Sequence, residues 1–183
     1  MIPQLKAKGI DFAEGLTESE SRMIEEIYDI KFPESLRKFY SLGVPVSDRF
    51  PLWNDFSDAN IEKIKERIVA PIKWVLIYVE KDGYWLTGWG KRPESAEKVI
   101  EQFWEIALQA PKLIPIYSHR YMPQLDGVDD PPVISTVGQD TIYYGSNLEE
   151  YLQNEFLKEK PFSLSNCIYI PFWSDIIRRH QIW

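Results

Sequence analysis

The sequence predicts one α+β domain, built from a mixed, mostly antiparallel sheet with helices packed around it. Helical patterns come first along the chain and strands mixed with helices follow, which is typical of an α+β fold rather than a doubly wound parallel sheet. Residues 74–80 and 84–89 are both strand-like and an Asp-Gly turn joins them, which indicates an antiparallel hairpin. No internal repeat, low-complexity segment or linker divides the 183 residues, so we expect a single domain over residues 1–183.

Two helices are predicted near the start of the chain. Thr17 and Glu20 form a capping box, in which the Thr17 hydroxyl accepts from the Glu20 amide and the Glu20 carboxylate accepts from the Thr17 amide. The buried face of this helix comprises Ile24, Ile27 and Tyr28. A second helix is expected to begin at Pro33 and to end before Gly43. Its buried face comprises Leu36, Phe39, Tyr40 and Leu42.

The middle of the chain is predicted to change from helix to strand at a proline. Residues 50–56 form an aromatic loop that is expected to lie over the core. A third helix follows, and Pro71 is expected to end it because proline removes a helical hydrogen bond. The apolar positions of this helix are Ile61, Ile64 and Ile68. In the hairpin after it, strand alternation places Trp85, Thr87 and Trp89 on one face.

Further helices are predicted in the second half of the chain. Residues 93–110 are expected to form the longest helix, which Pro111 closes. Its apolar side comprises Val99, Phe103, Ile106, Ala107 and Ala110. Another helix covers residues 147–156, with Asn147 as its cap, and residues 168–183 form a tail with a short helix from Ser174.

Three short strands are predicted between these helices. They cover residues 113–117, 133–137 and 141–144. The first contains Pro115, which cannot donate a ladder hydrogen bond. We therefore expect Pro115 to lie at an edge strand or at a bulge.

Composition and charge restrict the classes of function. The net charge of −7, the pI of 5.0 and the absence of any basic run longer than Arg178-Arg179 disfavour general nucleic-acid binding. The longest apolar run, residues 74–79, is far too short to span a bilayer, and the first nine residues lack the apolar stretch of a signal peptide. The single cysteine, Cys167, excludes an internal disulfide and fits a reducing compartment. We expect a cytoplasmic protein that binds neither membranes nor nucleic acid directly.

The sequence contains no motif for a metal ion or a cofactor. Cys167, His119 and His180 are scattered, and none belongs to a pair at ligand spacing. Residues 126–130 hold three aspartates and a glycine but lack the alternating acids and the closing glutamate of a calcium loop. The glycine pattern that cradles phosphates and the Gly-x-Ser-x-Gly motif of hydrolases are also missing. We expect no cofactor.

Residues 111–123 place an apolar strand directly before a titratable cluster, and two interpretations remain open. In one, His119 acts as a general base, Asp130 or Asp140 orients it, and Arg120 holds an anion. In the other, His119 is neutral at the end of a strand and belongs to a polar network that braces the bend. The sequence supplies no nucleophile near this cluster.

The same cluster is also typical of a protein interface. Arg120 is flanked by Tyr117 and Tyr121, and Trp89 and Arg92 lie in a second group of this kind. Arginine, tyrosine and tryptophan are the residues that most often carry the binding energy of protein complexes. Both groups are therefore candidate contact surfaces.

Six segments of the chain, taken in order, resemble one known family. They are Gly15-Leu16-Thr17, Ile30-Lys31-Phe32-Pro33-Glu34-Ser35-Leu36, Asp82-Gly83-Tyr84-Trp85, the residues 111–123, Ile142-Tyr143-Tyr144-Gly145 and Pro171-Phe172-Trp173-Ser174. Together they resemble the Smi/Knr group of the SUKH superfamily over about residues 15–177. The chain departs from the family at Asp130-Pro131-Pro132 and Gln139-Asp140-Thr141, where relatives tend to read Gly-Asn-Pro and Gln-Thr-Asp.

The resemblance implies both a fold and a function. The implied fold is an α+β domain with a mixed sheet and surrounding helices. Fungal members are regulators of cell-wall assembly, and bacterial members are widely taken to be immunity proteins that bind and neutralise toxin domains. Many such toxins are nucleases, and an acidic partner suits their basic clefts. The family implies no catalytic residues.

From the bacterial branch of this family we expect a non-enzymatic immunity protein that binds a toxin domain. The expected partner surface comprises Trp89, Arg92, His119, Arg120 and Tyr121. The acidic residues expected to steer the encounter are Asp129, Asp130 and Asp140. Arg120→Ala is expected to leave the fold intact and to weaken the complex by more than about 1 kcal/mol. The alternatives are a scaffold or regulatory domain with a different cytoplasmic partner, and a hydrolase built on His119.

Overall fold

Seven α-helices and six strands make up the regular structure of the residues that the structure describes. It is a computed structural model, and it describes residues 1–47, 49–158 and 163–179. The helices are α1 Ile2–Ala7, α2 Glu18–Tyr28, α3 Glu34–Leu42, α4 Asp58–Lys81, α5 Ala96–Ala107, α6 Leu148–Leu152 and α7 Trp173–Arg179. The strands are β1 Asp11–Ala13, β2 Val44–Val46, β3 Leu113–Tyr117, β4 Arg120–Pro123, β5 Val133–Val137 and β6 Asp140–Gly145. The predicted α+β class is confirmed.

The strands form two sheets. A small sheet pairs β1 with β2, and the main sheet has the order β3-β4-β5-β6, so that each strand lies beside its neighbour in sequence. Every pair among the described strands is antiparallel, so the expectation of a mixed sheet is wrong in that detail. β3 is an edge strand, and its register with β4 shifts between Pro115 and Tyr117. Pro115 therefore lies where a missing N–H donor is tolerated, as predicted.

The main sheet lies between two hydrophobic cores. Successive residues of a strand point to opposite faces, and β3 accordingly places Ile114 and Ile116 in the first core and Leu113 in the second. The first core is completed by α1, α2, α3 and α6, and the second by α5, α7 and the C-terminal half of α4. Because helices cover both faces, candidate functional groups are concentrated at strand ends, turns and outer helix faces.

The predictions for α2 and α3 are confirmed in the main, although Pro33 is the N-cap of α3 rather than its first residue and Ile27 is only half-buried. The Thr17 hydroxyl accepts from the Glu20 amide at 3.2 Å, and the Glu20 carboxylate accepts from the Thr17 amide at 2.8 Å. Leu42 of α3, however, is 75% exposed rather than buried. At about 100° per residue, it lies about 120° around the helix axis from Leu36 and so outside the buried face.

The predicted hairpin is wrong because α4 continues through Pro71 to Lys81. Pro71 lacks the N–H that would donate to the Arg67 carbonyl, so α4 loses one helical hydrogen bond. The Pro71 side chain is buried, and Val75 and Val79 follow at intervals of four residues and enter the second core. The burial of this continuous stripe outweighs one hydrogen bond, whose net value is about 0.5–1.5 kcal/mol.

Residues 84–89 form a loop instead of the expected second strand. The loop ends in a 3₁₀ turn at Thr87–Trp89. Trp85, Thr87 and Trp89 do not share one face, since Trp89 is buried, Trp85 is half-buried and Thr87 is exposed. The loop covers part of the second core, because Trp89 belongs to that core.

The remaining elements differ from prediction mainly in length. α5 covers Ala96–Ala107 rather than residues 93–110, so α4, with 24 residues, is longer. α6 is continued by a π-helical turn over Gln153–Leu157. α7 begins at Trp173, one residue before its predicted start, and residues 180–183 of the predicted tail lie outside the described residues. α1, β4 and the small sheet were not predicted.

Candidate functional site

The eight residues expected to form a partner surface lie in three separate parts of the structure. One part holds Trp89, whose carbonyl accepts from Gln102 of α5, and Arg92, whose guanidinium donates to the Val79 carbonyl of α4 at 3.4 Å. A second, in the connection between β4 and β5, holds Asp129 and Asp130. A third, at one end of the main sheet, holds His119, Arg120, Tyr121 and Asp140. The structure therefore brings together half of the expected set.

Trp89 and Tyr121 are core residues, which corrects their expected role in partner binding. The Trp89 side chain is 7% exposed and stacks on Phe172 with 5.4 Å between ring centroids. Tyr121 is 1% exposed, and burial raises its pKa to about 12. Neither ring can reach a partner. Arg92, in contrast, is exposed.

The Arg120 side chain is largely buried and bound to other residues of the chain, rather than exposed to a partner. Its guanidinium lies 3.9 Å from the centre of the Tyr144 ring and donates to the Ser135 hydroxyl at 2.9 Å. It also forms an ion pair with Glu155 at 3.4 Å, and the side chains of Arg120 and Glu155 are only 11% and 18% exposed. Arg120→Ala is therefore expected to destabilise the fold, contrary to the expectation from the sequence.

The three expected acidic residues differ in how far they are engaged. The Asp130 carboxylate accepts from the Leu148 amide at 3.0 Å, which stabilises the first turn of α6. Asp129 accepts from the Ser35 amide through its backbone carbonyl, and its side chain is exposed. Asp140 is exposed at the start of β6. Asp129 and Asp140 therefore remain available for steering, whereas Asp130 supports a helix.

His119 lies on a pocket of about 290 Å³ whose charged lining is cationic. The lining residues are Arg49, Lys63, Arg67, Trp74, Ser118 and His119. We call this the cationic pocket. Lys63, Arg67 and Trp74 lie on one face of α4, Arg49 precedes that helix, and the other two form the turn between β3 and β4. The sequence did not single out the three cations Arg49, Lys63 and Arg67, because their separation along the chain hides their proximity to the turn.

The walls of the cationic pocket are joined by hydrogen bonds to backbone carbonyls. The Arg67 guanidinium donates to the carbonyls of Arg49 and Ser118 at 3.2 and 3.1 Å. The Ser118 amide donates to the Arg49 carbonyl at 2.8 Å. Burial lowers the pKa of Arg67, although an arginine still remains charged at neutral pH. Arg67 is thus a fixed positive charge at the back of the pocket.

His119 has a hydroxyl within hydrogen-bond distance, but among the described residues it lacks the carboxylate that orients the histidine of a catalytic triad. Its Nδ1 lies 3.1 Å from the Ser118 hydroxyl, and none of the carboxylates that the structure describes is hydrogen bonded to it. Burial, followed by the charge of Arg120, lowers the pKa of His119, which favours the neutral ring. The nearby Ser118 has a φ of 49°, which fits its place in a tight hairpin turn. This arrangement fits the interpretation of a neutral histidine that braces the turn.

Cys167 is expected to react slowly with alkylating reagents. Burial, with a smaller contribution from Glu150, raises the pKa of this thiol to about 11. At pH 8 its thiolate fraction is then lower than that of an ordinary cysteine by roughly 100-fold, and its rate with iodoacetamide falls in proportion. The measurement is the alkylation rate of the folded protein against the same protein in urea. Equal rates would contradict the raised pKa and restore Cys167 as a possible nucleophile.

A second surface feature is an apolar groove between α4 and α5. It has a volume of about 430 Å³, and its apolar lining includes Ile68, Val69, Ile72, Trp104, Leu108 and Pro111. The Leu108 side chain is 75% exposed and that of Val69 is 43% exposed. The sequence did not indicate this groove, because α4 was expected to end at Pro71 and the groove needs its continuation past that residue.

Acidic residues line the helix stripe that leads to this groove. Glu97, Glu101, Trp104 and Leu108 follow one another on α5 and its end at intervals of four, three and four residues, which places them on one face. Both glutamates are exposed. The approach to the groove along α5 is therefore acidic, whereas the charged residues of its lining are Asp29, Lys73 and Lys112.

Neither a metal site nor a membrane-spanning helix is found among the described residues. Within the described ranges, no His, Cys, Asp and Glu side chains form a group of three or more that could hold a metal ion. None of the helices that the structure describes has the length and apolar character needed to cross a membrane. In comparisons of the whole chain, no protein family model, curated protein or solved structure matches it.

Proposed function

We propose that this chain is a non-enzymatic protein-binding domain that acts as an immunity protein against a toxin domain in the cytoplasm. The observation that carries the proposal is the apolar groove between α4 and α5, with Leu108 exposed at its rim. The resemblance to the bacterial Smi/Knr group supports the immunity role, and the groove supplies a surface through which such a protein could bind.

The groove has the composition of an interface centre. A single exposed leucine is ordinary on a protein surface, but here Leu108 and Val69 adjoin a concave apolar surface that also includes Trp104. Protein interfaces concentrate their binding energy where an apolar side chain fills such a depression and the surrounding contacts exclude water. We expect the partner to insert an apolar side chain between α4 and α5.

The charge on the α5 side of the groove and the net charge of the chain favour a basic partner, although Lys73 and Lys112 also line the groove itself. Glu97 and Glu101 lie on the stripe that leads to Leu108, and the chain as a whole has a net charge of −7. Acidic residues beside an apolar centre steer a basic protein into place and disfavour an acidic one. A nuclease toxin, whose active cleft is basic because it binds phosphates, has the required complementarity.

Leu108→Glu is expected to weaken the complex at least 10-fold, which corresponds to about 1.4 kcal/mol. The charge would have to be buried in the apolar groove when the partner binds. The partner is first isolated from cells of the source organism with the tagged protein, and its affinity is then measured by calorimetry. Leu42→Glu is the matched control, because Leu42 is also 75% exposed but lies on α3, away from the groove.

The identity and the behaviour of the partner decide between the functions. A partner whose toxicity is relieved by co-expression of the wild-type chain, but not of the Leu108→Glu variant, supports the immunity proposal. A non-toxic partner that is sensitive to Leu108→Glu would instead indicate a scaffold or regulatory domain. Equal affinity of the wild type and Leu108→Glu would rule out the groove as the contact surface.

A further inference from the structure

We propose that the cationic pocket binds the phosphate group of a small phosphate ester. The pocket collects the side chains of Arg49, Lys63 and Arg67 around the turn that holds Ser118 and His119. This inference is independent of the proposed function, because it concerns a different surface and a different ligand.

The charge distribution is the first observation that points to an anion. The chain has 28 acidic and 21 basic residues, yet the cationic pocket has no acidic residue in its lining. Among the described residues, no carboxylate lies within ion-pair distance of its three cations. On α4, Glu62 pairs with Lys65 at 3.2 Å rather than with Lys63. Three like charges around one depression repel one another, and a bound anion would remove that cost.

The hydrogen-bond donors of the pocket are the second observation. A guanidinium has five N–H donors, and Arg67 uses one nitrogen, Nη2, for the two carbonyls that hold it in place. The position of the Arg67 guanidinium is therefore fixed before any ligand arrives. Arg49 is positioned by the Tyr117 hydroxyl, to which its Nη1 donates at 3.3 Å. Two positioned guanidinium groups with a lysine between them in sequence match the bidentate recognition that oxyanions favour.

The number of charges distinguishes a phosphate from a carboxylate. A carboxylate carries one negative charge and two acceptor oxygens, so one of the arginines would satisfy it. A phosphate monoester carries nearly two charges at pH 7 and three acceptor oxygens, which three cations and the Ser118 hydroxyl can share. The pocket therefore fits the dianion better than the monoanion.

The indole of Trp74 suggests what the phosphate is attached to. Trp74 is half-buried and lines the pocket beside the cations. An indole face binds planar groups by stacking, which contributes about 1–3 kcal/mol for a nucleic-acid base. An ester with a planar substituent next to its phosphate can use both the cations and the indole.

The cationic pocket and the apolar groove lie on opposite sides of α4. At about 100° per residue, Lys63, Arg67 and Trp74 fall on one side of the buried stripe, and Val69 and Ile72 fall on the other. A ligand in the pocket therefore does not compete with a partner in the groove. If a substitution in the groove weakened ligand binding in the pocket, or the reverse, the effect would have to be indirect.

The test is a titration of the full chain with three small molecules at low salt. Binding is monitored by ¹H–¹⁵N NMR. We expect phenyl phosphate to bind with a Kd on the order of 1 mM or tighter, inorganic phosphate to bind more weakly, and acetate to bind at least 10-fold more weakly than phenyl phosphate. The amide signals of Ser118 and His119 should shift most. Equal binding of acetate and phenyl phosphate would overturn the proposal, as would shifts spread over the whole surface.

Variants distinguish binding in the cationic pocket from nonspecific attraction of an anion to positive charge elsewhere on the surface. Lys63→Gln and Arg67→Gln are each expected to weaken phenyl phosphate binding at least 5-fold, and Trp74→Leu should abolish its advantage over inorganic phosphate. Arg92→Gln is the matched control, because Arg92 is exposed and lies away from the pocket. Lys63 is exposed, so its variant keeps the test valid if Arg67→Gln is unstable. Unchanged affinity in Lys63→Gln would remove the pocket as the binding site.

Discussion

Replacing Arg120 with alanine is expected to lower the free energy of unfolding by about 3 kcal/mol. The substitution leaves the Glu155 carboxylate in a largely buried position without its ion-pair partner. It also removes the cation above the Tyr144 ring and the donor to the Ser135 hydroxyl. Urea unfolding followed by circular dichroism measures the change.

Two controls show whether burial is the cause of this effect. Arg22→Ala breaks the Arg22–Glu18 ion pair, whose side chains are 69% and 61% exposed, and should cost less than about 1 kcal/mol. Arg120→Ala combined with Glu155→Ala should be less harmful than Arg120→Ala alone, because no buried charge is left unpaired. If Arg120→Ala leaves the stability unchanged, Arg120 regains its place as a candidate contact residue.

Replacing Trp53 with alanine is the second large effect and is expected to cost about 3–5 kcal/mol. Trp53 is 1% exposed, and its ring contacts those of Tyr28, Phe32 and Tyr40 at centroid distances of 5.5, 5.2 and 6.2 Å. The substitution would leave a cavity where α2, α3 and the loop before α4 pack together. The same urea experiment measures the loss.

Trp53→Phe serves as the control for the aromatic contacts. Phenylalanine keeps one ring in the site and leaves a smaller cavity, so its cost should be about half that of Trp53→Ala. A loss below about 1 kcal/mol for Trp53→Ala would mean that the neighbouring rings collapse into the space. In that event the first core would be less tightly packed than its burial indicates.

Local sequence patterns predicted the structure correctly wherever the deciding interactions lie between residues close in sequence. The capping box of Thr17 and Glu20 begins α2, because both of its hydrogen bonds lie within one helical turn. Pro115 marks an edge strand with a shifted register, because proline lacks a ladder donor wherever it lies. The α+β class follows from the order of such local signals.

The same local rules were insufficient at Pro71. Proline disfavours a helix interior, but the buried stripe from Ile64 through Val75 to Val79 holds α4 together across it. The energy of that stripe depends on the second core, whose members come from distant segments of the chain. The apolar groove exists only because α4 is long, so the sequence could not indicate the groove either.

The candidate site was predicted only in part, for a related reason. The sequence singled out His119 and Arg120 because they follow a strand, and the structure does place them at a sheet end. The sequence could not show that Arg120 pairs with Glu155 and lies against the Tyr144 ring. Nor could it show that Trp89 stacks on Phe172, since all these partners are distant in sequence.

The sequence by itself determined the fold class, the start of α2 and three of the four strands of the main sheet, because capping, periodicity and proline chemistry act over a few residues. Only the tertiary structure decided which polar side chains are buried and which are exposed. It also decided that Arg49, Arg67 and Ser118 meet in one pocket, although up to 69 residues separate them. Long-range packing sets both outcomes, because burial and proximity depend on all the segments that fold together.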